Sequence, residues 1–194
     1  MSRSVPPLPR IQIEAPPWAA DLVDWDRAYT SDEERMDLAI ALARENVLRG
    51  GGGPFGAAVF ESDSGRPVSV GVNLVVPLNN SVLHAETVAL MLAQQRLASF
   101  TLRAPGMPPH ELVASCDPCA MCLGATLWSG VIRLVCGAAR EDAAAIGFDE
   151  GPVFPASYDY LSERGIAIAR GVRRDEARAV LELYRDRGGV VYNA

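Results

Sequence analysis

The chain has no excess of positive charge: 18 Lys and Arg stand against 24 Asp and Glu in 194 residues, a net charge of −6. With a pI near 5.0 it lacks the phosphate-neutralising surface that duplex DNA or a tRNA arm demands, which argues against a nucleic-acid partner. It also lacks an apolar stretch at its start. Met1-Ser2-Arg3-Ser4-Val5-Pro6-Pro7 cannot serve as a secretory signal or a membrane span, and we expect a cytoplasmic protein with no membrane association. No internal repeat is present. Glycines 50–53 are followed by Pro54 and not by Gly-Lys-Ser/Thr, and no strand precedes them, so they read as a helix stop and a tight turn, not a phosphate loop. Histidine is scarce, with only His84 and His110. Four cysteines in a reducing cytoplasm favour metal binding over disulfides.

What is present is 49% hydrophobic residues in a length suited to one core, so a single domain is expected. Prolines at 6, 7, 9, 16 and 17 mark residues 1–17 as an arm, residues 18–187 form the domain, and Gly188-Gly189 releases a tail over 188–194. Ser31 and Glu34 form a capping-box pattern that opens a helix over 31–49. Residues 55–60 and 67–75, split by a polar turn, read as a β-hairpin. Next come a helix over 84–98, a strand over 111–115, a helix over 118–128 and a strand over 131–137. Short helices over 142–146 and 156–164, a strand over 165–169 and an amphipathic helix over 174–187 complete the chain. Alternating strands and helices after a hairpin imply an α/β fold, a mixed five-stranded central sheet covered by helices on both faces.

The chemistry concentrates in His84-Ala85-Glu86 and Pro118-Cys119-Ala120-Met121-Cys122. His-x-Glu followed by Pro-Cys-x-x-Cys is the signature of zinc-dependent deaminases. One imidazole and two thiolates give one zinc per chain three ligands, His84, Cys119 and Cys122, and leave a tetrahedral ion one position for water. Glu86 is spaced to act on that water without occupying the metal and to pass protons to a leaving amine. His84 opens one helix. Pro118, at a first helical position, puts Cys119 and Cys122 in the opening turns of another, where the helix dipole favours thiolate. Two rivals use the same cysteines. Cys116, Cys119 and Cys122 with Cys136 suggest an iron–sulfur run, and Cys116, Cys119, Cys122 and His84 a closed structural zinc site. Neither explains Glu86. Cys116 reads otherwise as a strand-end thiol, Cys136 as a core residue, and His110 as a solvated loop residue.

In order along the chain, Gly53-Pro54-Phe55-Gly56-Ala57, Gly71-Val72-Asn73, His84-Ala85-Glu86, Pro118 to Ala125 and Gly147-Phe148-Asp149-Glu150 resemble the guanine deaminases of the cytidine-deaminase-like superfamily. The likeness runs from about residue 35 onward and is nearest to bacterial guanine deaminases that also accept ammeline. It implies a three-layer αβα domain, conversion of guanine to xanthine and ammonia, and a homodimer with exchanged C-terminal segments. It makes Glu86 the proton shuttle and Glu150 a second catalytic acid. It makes Asn73 the amide that bonds the base and the Ala85 main chain a further contact, with Phe55 and Trp128 as pocket walls, Asp149 beside the substrate and Tyr192 in a tail that shields the partner's site. Phe55 fits a core role equally well, and Asp149-Glu150-Gly151-Pro152 by itself reads as a charged turn. Asp117 stands where many relatives carry Glu, and the arm lies outside the shared part. Cytosine, nucleoside and tRNA adenosine deamination remain the alternatives within the same chemistry.

Overall fold

The computed structural model describes Leu8 and residues 10–193; the rest of the arm (1–7 and 9) and Ala194 lie outside the described residues. A helix α1 (Pro17–Asp21) precedes α2 (Asp32–Leu48), the hairpin β1 (Gly56–Glu61) and β2 (Pro67–Val72), and α3 (Ala85–Arg96). After these come β3 (His110–Cys116), α4 (Ala120–Ser129), β4 (Arg133–Ala138), α5 (Arg140–Ala144), α6 (Pro155–Glu163), β5 (Ala167–Ala169) and α7 (Arg174–Asp186). The strands lie in the order β2-β1-β3-β4-β5, antiparallel through β1 and parallel from β3 to β5. This is the expected mixed five-stranded sheet.

Period-two alternation sorts its side chains into two layers. Ala58, Phe60, Val113 and Val135 meet Met36, Ala39 and Leu42 of α2 and Val180 and Leu181 of α7. Ala57, Val59, Leu112 and Leu134 meet Ala85, Ala89 and Ala93 of α3, Leu123 of α4 and Leu161 of α6. With helices on both faces, the central strands are buried on both sides, which explains their unbroken apolar runs. Gly71 is where α3 comes closest to the sheet: a Cβ there would lie 2.2 Å from the Ala85 carbonyl oxygen, so only glycine lets that helix sit down on β2.

The Ser31–Glu34 capping box is formed as expected. One helix was not foreseen, and two local expectations are corrected. Helix α1 arises from residues that lead out of the arm, with Pro17 at its first position where a missing amide costs nothing. The helix expected from Pro118 begins at Ala120 with Cys119 as its N-cap, because the Ala120 amide goes to the Glu150 carbonyl and the Leu123 amide is the first to return, to Cys119. His110 is buried at the start of β3, not solvated: it pairs with Glu61 across the sheet, and its Nδ1 lies 2.9 Å from the Leu102 carbonyl. Ile13, Ala15 and Trp18 pack on the core at the end of the arm. Among the described residues no helix is long and apolar enough to cross a membrane.

Register decides where the site falls. Gly56 pairs with Val72 and Ala57 with Ala114, so Phe55, Asn73 and the residues after Cys116 all emerge at one end of the sheet. That end is the C-terminal edge of the parallel strands β3 and β4, where open α/β sheets bind ligands.

Candidate active site

Two helix N-termini meet there. His84 caps α3 and Cys119 caps α4, both with extended backbones (φ −70°, ψ 158° and φ −68°, ψ 171°), and neither makes a side-chain cap hydrogen bond. Side chains released from capping point instead at a common centre. His84 Nδ1 lies 3.5 Å from Cys119 Sγ, and the donor atoms of His84, Cys119 and Cys122 all fall within 4.8 Å of one another. A tetrahedral zinc with ligands at about 2.0–2.3 Å needs donors separated by roughly 3.3–3.8 Å, a range in which the His84–Cys119 pair already lies.

The ionisation of the group suits a dication. Cys119 is held down to about 4, first by the Cys122 thiol that donates to it and then by His84, while the same hydrogen bond pushes Cys122 up. Cys119 and Cys122 would hold a dication as thiolates, the shared proton being lost on binding. For His84, burial lowers the imidazole's affinity for a proton, but the hydrogen bond to Cys119 and the charge of Glu86 together outweigh it. Cys116 and Cys136 stay outside the group: burial pushes both thiols well up, and Cys116 donates to the Ala139 carbonyl. Among the described residues the metal-capable set is therefore His84, Cys119 and Cys122, and the four-ligand rivals built on Cys116 are not assembled.

Glu86, two residues into the structure from its ligand neighbour, is buried in the first turn of α3, and burial raises its carboxyl, with the Cys119 charge adding to the effect. Glu150 is buried as well and pushed up to about 8, first by burial and then by the charges of Cys119 and Glu86. A bound dication opposes both shifts. The Glu150 loop is docked on α4 through the Ala120 amide, and Arg140 clamps it by donating to the Gly151 carbonyl at 2.9 Å and the Val153 carbonyl at 2.6 Å. Asp117, itself buried, forms an ion pair with the half-exposed Arg170 and accepts from the Arg140 amide, which steadies the turn into Cys119.

Asn73 is fully buried. Its Oδ1 accepts from the Gly53 and Val75 amides at 3.3 Å each, and its Nδ2 donates to Tyr192 Oη at 2.6 Å. Ala85 contributes main chain at the first position of α3, where amides have no intrahelical acceptor. Aromatic rings close around the group. Phe55 meets Phe148 edge-on at 5.2 Å, Phe148 meets Tyr192 at 5.1 Å, and Tyr192 lies 6.1 Å from the His84 ring. The tail thus covers the site of its own chain.

Two expected residues are placed elsewhere. Trp128 is 80% exposed on the outer side of α4, in an apolar groove with Phe100, Met121 and Met91, and forms no wall of this pocket. Asp149 is exposed and spends its carboxylate on the Gly151 amide at 2.8 Å. Two contributors were missed. Asn46 of α2 is fully buried and donates to the carbonyls of both Gly53 and Asn73, pinning the two loops that hold the Asn73 amide. An asparagine among Ala43 and Val47 on a core face was the available signal. Phe148 joins Phe55 to Tyr192; its motif was visible, its role was not.

A His-Cys-Cys donor set at two helix N-termini with a buried carboxylate beside it, on a mixed sheet between helix layers, defines a zinc-dependent aminohydrolase. The chain belongs to the family of the cytidine and deoxycytidylate deaminase zinc-binding region, whose model matches residues 29–138. It is 36% identical over 134 residues to the guanine deaminase of Bacillus subtilis, covering 69% of this chain and 81% of that one. It is similar to the solved structure of guanine deaminase from Nitrosomonas europaea, with 44% identity and a TM-score of 0.87 over 91% of this chain and 97% of that one. A structure of NE0047 in complex with 2,6-diaminopurine superposes with a TM-score of 0.88 at 46% identity, covering 94% of this chain and 96% of that one.

Proposed function

We propose that the protein deaminates guanine, consuming one water and releasing xanthine and ammonia, with ammeline as a secondary substrate. The observation that carries this reading is the enclosure: Tyr192 bonds to Asn73 and packs on Phe148 above the His84 side of the site, which suits a flat free base and leaves little room for a ribose. The similarity to guanine deaminases supports the same choice. The acidic chain and the covering tail count against tRNA.

His84, Cys119 and Cys122 would hold the zinc, and the ion when bound supplies Lewis acidity that makes water nucleophilic at neutral pH. Glu86 takes the proton from the attacking water and returns protons to the departing amine, a task matched to a buried carboxylate with a raised pKa. Glu150, buried and with a raised pKa, serves as a second acid. Asn73 orients the base. Phe55, Phe148 and Tyr192 exclude bulk water, which strengthens each polar contact inside.

The protein works in the cytoplasm as a homodimer whose tails are exchanged. The uncharged groove around Trp128 and Phe100, about 440 Å³, supplies an apolar face for a second copy. In an exchanged dimer the hinge at Gly188-Gly189 would open and the partner's tail would take over the contacts that Tyr192 and Asn193 make here within one chain.

Ammonia release from guanine, cytosine, adenine, guanosine, cytidine and ammeline tests the substrate. Guanine should show the highest kcat/KM, with ammeline measurable behind it. A higher value for cytosine or for either nucleoside would replace this reading.

A further inference from the structure

The tail does more than cover the site. Asn193 forms two hydrogen bonds with one residue: its side-chain Nδ2 donates to the Asp149 carbonyl at 2.8 Å, and its own carbonyl accepts the Asp149 amide at 3.2 Å. Asp149 immediately precedes Glu150, whose loop is otherwise held from below, by the Ala120 amide and by Arg140. Among the described residues its upper side has no other hydrogen-bonded strap: the Asp149 carboxylate is used within its own turn, on Gly151. Val191 packs beside Gly147 at the start of the same loop, and Tyr192 rests on Phe148. Residues 191, 192 and 193 therefore each meet this loop, at Gly147, Phe148 and Asp149.

We propose that Asn193 is a positioning residue for Glu150, so that closure of the tail sets the place of the second acid and does not merely shut out water. This rests on the reading of Glu150 as a working acid. A residue whose main-chain carbonyl takes the Asp149 N–H while its side-chain Nδ2 donates to the Asp149 C=O imitates one rung of a β-ladder, and such a rung restrains the main chain on either side of Asp149. It acts in the same way whether the tail comes from its own chain or from a second copy. Only the carboxamide at position 193 supplies the side-chain donor; an aspartate there would oppose its charge to the Asp149 carbonyl.

The test uses the zinc-loaded full-length protein. Asn193→Ala and Asn193→Asp should each lower kcat for guanine by about 5- to 20-fold, the scale of one or two hydrogen bonds, with zinc content unchanged and Asn193→Gln partly restoring the rate. Hydrogen exchange at the Asp149 and Gly151 amides should quicken in both. In a Glu150→Gln background, Asn193→Ala should cost less than 2-fold more, since the group it positions is already gone. Full additivity of the two changes, unaltered exchange at Asp149, or wild-type kcat in Asn193→Ala overturns the proposal. Wild-type kcat in Glu150→Gln alone overturns the underlying role of Glu150 and is read separately, from the single variant.

Discussion

Asn73 and Tyr192, 119 residues apart in sequence, share a 2.6 Å hydrogen bond in which the amide Nδ2 donates to the phenolic oxygen. Asn73 Oδ1 is engaged by the Gly53 and Val75 amides, so the orientation of the amide is set and Nδ2 must face the tail. Gly53 leaves room for this contact; a Cβ there would stand 2.6 Å from Tyr192 Oη. Burial pushes the Tyr192 phenol upward, so it stays protonated and polar without charge. Tyr192→Phe should lower kcat/KM for guanine by about 5-fold, the value of one net hydrogen bond. Removal of residues 190–194 should cost roughly an order of magnitude or more in turnover with zinc retained. Unchanged turnover in a zinc-loaded truncation would make the tail an ornament.

Metal content is the next test. The purified protein should carry one zinc per chain by elemental analysis, and His84→Ala should lose both metal and activity. The loss should exceed the ~10–100-fold that changes in outer partners of metal ligands cost. Zinc retained at full activity after that substitution would remove His84 from the site.

Glu86→Gln separates chemistry from metal binding. The amide keeps the shape of the side chain but cannot shuttle protons, so turnover should fall by about 10²–10⁴ while zinc content and thermal stability hold. Near-normal turnover would pass the role to Glu150.

Acid stability should depend on Asp32. Its hydrogen bonds to Arg133, at 2.6 Å through both carboxylate oxygens, hold the carboxyl below its ordinary 3.8 against an opposing cost of burial. The folded protein therefore binds this proton less readily than the unfolded chain. The resulting stability is complete above 3.8 and drains away as pH falls through the lower folded value. Asp32→Asn should be less stable at neutral pH by about 1 kcal/mol or less, because the pair is partly exposed. The difference should close on acidification, as followed by denaturant melts. A gap that widened in acid would reverse the assignment.

Dimerisation can be read without touching the chemistry. Trp128→Glu places a charge on the apolar groove and should shift the protein toward monomer in sedimentation, with zinc retained. Mixing Glu86→Gln chains with chains that lack residues 190–194 tests exchange. Recovered activity in the mixed dimer requires that an intact tail serve the partner's intact Glu86, and no recovery means each tail serves its own chain.

The metal set was legible because its spacing is local. His84 and Glu86 are separated by two positions, Cys119 and Cys122 by three, and each pair opens a helix whose own geometry aims the side chains. The order of strands and helices was legible for the same reason, since periodicity and turn residues act within a few positions. Tertiary structure decided what depends on facing. Trp128 lies on the same helix as Cys122 but turns outward, because Cys122, Leu123 and Thr126 fill the inward side of α4. His110 was taken into β3 by a partner strand some fifty residues earlier, an attraction no local window registers. Asn46 and Asn73, on a helix and a strand end, meet only once α2 has packed on β1, and Tyr192 reaches Asn73 only after α7 has docked on α2. A motif can state which atoms bind the metal. Which residues surround the base is settled by packing between segments far apart in the chain, where the free energy of contact depends on shape that the linear order does not carry.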